Sequence, residues 1–176
     1  MIKVISFSEK VTKQIGASIA QQISCRGSLS KKPLFILLEG NLGAGKTTFT
    51  KGFLEHFGIK PKAASPTFVI AKRYGVTENK KPKTPSFAKA TAGKKNYSAK
   101  LKSENNLIEN IWHIDAYRLK SKEDLELIEF NEIKKQPRTV VLIEWPGNVK
   151  GLMLKNAVRI KLEYGNIENE RSIEIK

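Results

Sequence analysis

Residues 40–47 have the types and the spacing needed to bind a polyphosphate. They read Gly-Asn-Leu-Gly-Ala-Gly-Lys-Thr, which fits the pattern G-x-x-x-x-G-K-[ST]. The glycines allow the backbone to turn several N–H groups toward an anion at close range. Lys46 can bring a positive charge to the β- and γ-phosphates, and the hydroxyl of Thr47 can bind Mg²⁺. The pattern predicts that the chain binds a nucleoside triphosphate.

Two acidic residues stand at the ends of predicted strands, where they could complete such a site. Glu144 follows the apolar residues 140–143, and Asp115 ends another apolar stretch. Mg²⁺ usually keeps several waters and takes one or two protein carboxylates, so we expect Glu144 to be linked to the metal. A surface glutamate at a strand end is the alternative. Asp115 could hold a metal-bound water or orient the attacking water, or it could pair with Arg118, and spacing alone does not separate these roles.

Three other side chains are candidates for the site, but no sequence pattern assigns a role to them. His113 shares a strand face with Asp115, but a lone histidine in a strand is more often structural, so no catalytic role is predicted for it. Thr67, within Ser-Pro-Thr, could sense the γ-phosphate as a switch, although this tripeptide is also ordinary turn chemistry. Trp145 could lie over the nucleotide, on a partner surface, or in the core or its rim.

Strands and helices alternate around these residues. A helix after the loop is predicted from Phe49, Phe53, Leu54 and Phe57, with Gly58 at its end. An earlier helix is predicted to pack on the sheet through one apolar stripe, formed by Val11, Ile15, Ile19 and Ile23. Ser6 is expected to cap that helix through an S-x-x-E box, and Ser121 to cap a later helix that runs to Ile133.

Predicted strands complete the fold. They cover residues 34–38, 67–74, 108–115 and 139–144, with a short edge strand at 1–7 and a C-terminal hairpin formed by 157–162 and 171–175. The pattern predicts a three-layer α/β fold whose central sheet is mostly parallel, with an antiparallel edge.

Composition indicates one domain, residues 1–176, with a lysine-rich insertion at about 78–106. The chain carries a net charge of +15, of which the insertion, with eight lysines and two acids, contributes +6. This charge suggests an anionic partner, and the insertion is either a solvated spacer, which we favour, or an RNA-binding arm. Cys25 is the only cysteine, so no internal disulfide can form and a reducing cytoplasm is expected. No apolar run approaches the roughly 20 residues of a membrane span.

Taken together, the motifs resemble the TsaE family, small bacterial ATPases of tRNA threonylcarbamoyladenosine biosynthesis. Four segments carry the resemblance: Gly-Asn-Leu-Gly-Ala-Gly-Lys-Thr-Thr-Phe at 40–49, Ser-Pro-Thr-Phe at 65–68, His-Ile-Asp-Ala-Tyr-Arg-Leu at 113–119 and Glu-Trp-Pro at 144–146. The resemblance implies a P-loop NTPase fold and Mg²⁺-dependent ATP hydrolysis in association with the TsaB and TsaD proteins. TsaD transfers the threonylcarbamoyl group to the adenosine beside the anticodon, and hydrolysis resets the complex, so tRNA is met only indirectly.

The resemblance also assigns site residues by position. Lys46, Asp115 and Glu144 would be catalytic, Thr47 and Glu144 would bind the metal, and Thr67 would lie in a switch-like loop. The residues implied to bind ATP are Thr12, Leu42, Gly43, Ala44, Gly45, Lys46, Thr47, Thr48 and Arg171.

Three features depart from the family pattern. Asn41 stands where the family usually has Asp, Glu129 stands where glycine is common, and the insertion replaces a short hairpin connection. The turn at Glu129 is therefore expected to differ, and the insertion could alter docking to TsaB–TsaD or contact tRNA.

Other functions remain as alternatives. The loop also resembles the start of thymidylate kinases, but a kinase usually closes an arginine-rich lid, and residues 78–106 contain no arginine. A guanine-specific switch protein would need N-K-x-D, whereas residues 79–82 read Asn-Lys-Lys-Pro. A basic RNA-binding module with a vestigial loop would show salt-dependent RNA binding that is insensitive to Lys46→Ala.

Overall fold

The computed structural model describes residues 1–25, 31–60, 70–76 and 108–176. Within these ranges the strands and helices follow in the order β1 (Ile2–Ser6), α1 (Glu9–Cys25), β2 (Leu34–Glu39), α2 (Lys46–His56), β3 (Ala71–Gly75), β4 (Asn110–Asp115), α3 (Phe130–Ile133), β5 (Thr139–Glu144), β6 (Val158–Tyr164) and β7 (Arg171–Ile175). Two 3₁₀ turns, Glu123–Ile128 and Pro146–Asn148, lie before α3 and after β5.

In the described part of the chain, the strands form a single seven-stranded sheet in the order β1-β7-β6-β2-β5-β4-β3. The central strands β6, β2, β5 and β4 run parallel, whereas β3 and the pair β1–β7 are antiparallel to their neighbours. The predicted parallel centre, antiparallel edge and C-terminal hairpin are confirmed. The parallel pairing brings the carboxyl ends of β2, β4 and β5 to the same side of the sheet.

Both faces of the sheet are covered, which accounts for the unbroken apolar run in β5. All six residues of β5 are buried. Val140 and Leu142 pack with residues of α1 and α2, while Val141 and Ile143 pack on the opposite face with Phe130 and other residues around α3. A strand with a core on each side favours apolar residues at successive positions, so the continuous run at 140–143 rather than an alternating pattern is expected.

Helices α1 and α2 pack closely through glycines. A Cβ added to Gly16 would lie 2.2 Å from the carbonyl oxygen of Phe49, and one added to Gly52 would lie 2.0 Å from that of Lys13. The buried positions of α1 are Thr12, Gly16, Ala20 and Ile23. Ile15 and Ile19 are only partly buried, so the innermost stripe of α1 is offset from the predicted one because small residues occupy the closest contact.

Two predicted caps are wrong in detail. Ser6 ends β1, and it is the hydroxyl of Ser8 that accepts the backbone N–H of Val11 at 3.2 Å. Ser121 likewise caps no continuous helix, because the segment that follows it is a 3₁₀ turn joined to α3 through Glu129, whose φ of 54° is left-handed. The carboxylate of Asp124 instead accepts the N–H groups of Lys120 and Ser121.

The strand predicted at 67–74 is observed as Ala71–Gly75, and residues 67–69 lie outside the described ranges. The insertion at 78–106 also lies outside them. Among the described helices, none combines the length and the apolar character needed to cross a membrane.

Candidate functional site

The glycine-rich loop connects β2 to α2 and depends on backbone angles that glycine provides. Gly40, Gly43 and Gly45 have φ values of 140°, 75° and 100°. A Cβ on Gly40 would lie 2.1 Å from the carbonyl oxygen of Leu162 in β6, so only glycine fits there. Gly45 is the N-cap residue of α2, and no side-chain hydrogen bond caps this end of the helix. The positive end of α2 therefore points into the loop, as a phosphate site requires.

Lys46 begins α2 and folds back over the loop. Its ammonium donates hydrogen bonds of 2.8 Å to the carbonyl oxygens of Gly40 and Asn41, and it lies 3.5 Å from the centroid of the Trp145 ring. The residue is only 4% exposed. Burial lowers the pKa of the ammonium, and the negative charges of Glu144 and Asp115 offset part of this effect. The loop thus holds a cation at its centre.

Thr47 and Glu144 meet although 97 residues separate them in the chain. The Thr47 hydroxyl donates a 3.0 Å hydrogen bond to Oε2 of Glu144. The contact forms because β2 and β5 are parallel neighbours, with Leu38 paired to Glu144. This arrangement brings the start of α2 against the end of β5, and Glu144 is only 2% exposed.

The second oxygen of Glu144 contacts two side chains for which no role in the site was predicted. Oε1 lies 2.8 Å from Nε2 of His113, and the hydroxyl of Thr50 donates to the same oxygen at 3.3 Å. All three side chains are buried. Two weak signals existed: His113 shares a strand face with Asp115, and Thr50 lies one helical turn after Thr47.

Asp115 ends β4 directly beside Glu144, with which it is paired in the parallel register. Its Oδ1 accepts the backbone N–H of Tyr117 at 3.1 Å. The carboxylate lines a cavity of about 380 Å³ together with most of the loop. The residues lining that cavity are Leu42, Gly43, Gly45, Lys46, Thr47, Thr48, Asp115, Tyr117, Glu144 and Trp145.

Three residues proposed for nucleotide binding do not line the cavity. Ala44 is fully buried, and Thr12 is 2% exposed with its hydroxyl 2.8 Å from that of Ser6. Arg171, at the start of β7, donates to the carbonyl oxygen of Gly43 at 3.4 Å. Thr12 and Arg171 therefore both lie close to the loop without lining the cavity. Thr67 is outside the described residues.

Aromatic side chains form one wall of the cavity. Trp145 and Tyr117 meet edge to face with ring centroids 5.1 Å apart, and Trp145 has a left-handed φ of 59°. Behind the loop, the Tyr164 hydroxyl donates to the carbonyl oxygen of Leu42 at 2.5 Å. The sequence left the place of Trp145 open, and it did not single out Tyr117 or Tyr164 as site residues.

The oxygens of Thr47 and Glu144 suit Mg²⁺. In the described part of the chain, no group of three or more His, Cys, Asp or Glu residues could hold a metal by itself. A Mg²⁺ site needs no such group, because this ion commonly takes one or two protein oxygens together with substrate phosphates and waters. A hydroxyl and a carboxylate oxygen 3.0 Å apart beside a phosphate-type loop fit that donor set.

A family model and several similar proteins agree on one family, and a solved structure shares the fold. A family model described as "Threonylcarbamoyl adenosine biosynthesis protein TsaE" matches residues 6–84 and 79–173. A protein of Rickettsia typhi named tRNA threonylcarbamoyladenosine biosynthesis protein TsaE is 31% identical over 96% of this chain and 90% of its own length. The protein of the same name from Haemophilus influenzae is 27% identical over 83% of this chain and 72% of its own length. A crystal structure of Bacillus subtilis YdiB shares the fold, with a TM-score of 0.61 and 24% identity over 98% of this chain and 82% of that one.

Proposed function

This chain belongs to the TsaE family, and from that membership and the geometry of the site we propose that it is a Mg²⁺-dependent ATPase. The family places it in the biosynthesis of threonylcarbamoyladenosine in tRNA. The observation that most directly supports ATP hydrolysis is the 3.0 Å contact between the Thr47 hydroxyl and Oε2 of Glu144. It joins a phosphate-type loop to an acid at a neighbouring strand end, and that pair is the one a metal-bound triphosphate requires.

Each residue at the cavity has a distinct proposed role. The N–H groups at the start of α2 bind phosphate oxygens, and Lys46 leaves its two carbonyl partners to neutralise charge on the β- and γ-phosphates. Thr47 and Glu144 hold Mg²⁺, which when bound neutralises phosphate charge and helps to orient the γ-phosphate. Asp115 lines the same cavity, and its proposed role is to orient the attacking water.

The ATPase is proposed to act on a complex rather than on a small second substrate. By family membership, that complex contains TsaB and TsaD, and hydrolysis resets it between rounds of tRNA modification. The chain then meets tRNA only through its partners, and it works in the cytoplasm. Lys46 and Thr67 are proposed to respond to the γ-phosphate, with Thr67 acting as part of a switch-like loop.

The proposal is tested by measuring phosphate release from ATP with TsaB and TsaD present, with Mg²⁺ or with EDTA. Lys46→Ala and Glu144→Gln should each lower the rate at least about a hundredfold, because each removes a charge that acts on the reacting phosphates. Lys51→Ala serves as the matched control, since Lys51 lies in the same helix and does not line the cavity.

The melting temperature of each variant is measured as well, and it should stay close to that of the wild type. Normal hydrolysis by both site variants would contradict the proposed mechanism. Phosphoryl transfer to nucleosides or nucleoside monophosphates in excess of phosphate release would instead identify a kinase. Loss of activity in Lys51→Ala comparable to that in Lys46→Ala would show that lost charge, rather than the position of Lys46, explains the effect.

A further inference from the structure

The two oxygens of Glu144 have separate surroundings. Oε2 accepts the hydrogen bond from Thr47 at the edge of the cavity, whereas Oε1 contacts His113 and Thr50 in the interior. The side chains of His113 and Glu144 are 4% and 3% exposed. One oxygen is therefore turned toward the loop, and the other is anchored in the protein.

The donor and the acceptor of the hydrogen bond between His113 and Glu144 can be assigned. A carboxylate oxygen only accepts hydrogen bonds, so a contact of 2.8 Å with Nε2 requires that this ring nitrogen carry the proton and donate it. The hydroxyl of Thr50 supplies a second, longer donor to the same oxygen. Two donors on one oxygen oppose rotation of the carboxylate about its terminal bond, which is otherwise a soft torsion.

We propose that His113 is a positioning residue for the metal site, assisted by Thr50, and that it orients Glu144 so that Oε2 faces Mg²⁺. This inference rests on the proposed function, because it gives Glu144 the role of a metal ligand. His113 does not touch the nucleotide; it acts through Glu144. Residues that hydrogen-bond to a metal-ligating carboxylate commonly change metal affinity by about 10–100-fold when they are replaced.

The arrangement links three elements at one carboxylate. Glu144 ends β5, His113 comes from β4, and Thr50 comes from α2. In the parallel register His113 is paired with Leu142, two residues before Glu144, so the histidine reaches forward along the neighbouring strand. The sheet, as well as the glycine-rich loop, therefore fixes the position of Oε2 of Glu144.

The experiment measures Mn²⁺ binding in the presence of ADP, by the electron paramagnetic resonance signal of free Mn²⁺. Parallel calorimetry measures ADP binding in EDTA. His113→Leu should weaken Mn²⁺ binding at least tenfold and leave metal-free ADP affinity within about twofold. His113→Gln places an amide N–H near the former Nε2 and should recover most of the loss. Thr50→Val, which keeps the side-chain shape, should give a smaller effect because its hydrogen bond is longer.

His56→Leu provides the matched control. The chain has two histidines, and both are buried, at 2% and 3% exposure. His56 lies at the far end of α2, about 15 Å along the helix axis from Lys46, where Nε2 contacts the Ser24 hydroxyl at 3.4 Å. Loss of a buried histidine should by itself leave Mn²⁺ binding unchanged.

The possible outcomes distinguish a failure of the positioning role from a failure of the proposed ATPase function. Weaker Mn²⁺ binding in His113→Leu with recovery in His113→Gln supports the positioning role. Mn²⁺ affinity equal to that of the wild type overturns it while leaving the ATPase proposal intact. A parallel loss of metal-free ADP binding, or the same loss in His56→Leu, also overturns it, because the effect would then be structural. If the wild type binds Mn²⁺ with ADP but hydrolyses no ATP alongside TsaB and TsaD, the proposed function fails and the positioning role stands.

Discussion

At the residue scale, the ammonium of Lys46 packs against the ring of Trp145. The ammonium lies 3.5 Å from the ring centroid, and cation–π contacts of desolvated groups contribute about 2 kcal/mol. Because two loop carbonyls also bind this ammonium, an incoming phosphate competes with all three groups for it. Nucleotide binding should therefore change the surroundings of the Trp145 indole directly.

Intrinsic fluorescence tests this expectation, because the chain has two tryptophans. In Trp112→Phe, where Trp145 is the only emitter, saturating ADP should change the emission intensity or wavelength. In Trp145→Phe the emission should stay constant, since Trp112 is hydrogen-bonded to Gln136 and does not line the cavity. A response from Trp112 alone would contradict the coupling of Trp145 to Lys46.

A second residue-scale prediction concerns His56, whose pKa is lowered by burial. The unfolded chain takes up this proton near the ordinary pKa of about 6.5, whereas the folded chain takes it up at lower pH. Stability from His56 is therefore fully present above pH 6.5 and decreases as the pH falls below it, because the unfolded state binds more protons there. Urea denaturation midpoints from pH 7.5 to 5 should fall less in His56→Gln than in the wild type. Equal pH slopes would contradict this account.

At the scale of elements, the 3₁₀ turn is joined to α3 by a residue in a conformation that favours glycine. Glu129 adopts φ 54° and ψ 41° and contributes the backbone N–H bonds that end the 3₁₀ turn. A non-glycine residue is strained there by roughly 1–2 kcal/mol, partly offset by the greater backbone entropy that glycine loses on folding. The geometry of this turn is left-handed, as glycine would favour; that the turn differs from the one in the family stays a prediction.

Glu129→Gly should therefore stabilise the protein by up to about 1 kcal/mol, measured by chemical denaturation. Glu132→Gly is the control, because Glu132 lies within α3 and glycine in a helix costs about 1 kcal/mol. The two substitutions remove the same charge and should change stability in opposite directions. Destabilisation by both would show that Glu129 makes interactions that outweigh its backbone strain.

At the scale of the whole molecule, the antiparallel pair β3–β4 brings the two ends of the segment that contains residues 78–106 together. Gly75 and Asn110 are paired across β3 and β4, and the N–H of Val76 donates to the carbonyl oxygen of Glu109 at 2.9 Å. The chain thus leaves and re-enters the sheet at adjacent positions. A short turn could join these positions without moving either strand.

Replacing residues 78–106 with a four-residue turn should leave the fold and the intrinsic ATPase rate unchanged. Closing a shorter loop costs less entropy, so stability should rise by up to about 2 kcal/mol. The net charge would fall from +15 by the insertion's +6. Calorimetry and phosphate release, with and without TsaB and TsaD, check this. Loss of activity only in the presence of the partners would show that the insertion takes part in docking.

Short-range patterns were sufficient to predict much of the fold. Local periodicity, together with glycines at the ends of elements, predicted strands β2, β4 and β5, the helix after the glycine-rich loop and the C-terminal hairpin. One prediction failed because a distant contact overrode the local pattern: glycines at the contact with α2 set the close-packed stripe of α1. The other failure is local, because Ser8 rather than Ser6 caps that helix.

The loop, its lysine and threonine, and the two acids at strand ends could be predicted from residue types and spacing, because each lies in a short segment whose chemistry does not depend on distant contacts. Only the tertiary structure brought Thr47 and Glu144 within 3.0 Å and placed His113 and Thr50 on the other carboxylate oxygen. Those contacts join residues up to 97 positions apart, and they depend on the order of parallel strands in the sheet. Neither hydrophobic periodicity nor motif spacing carries that long-range information.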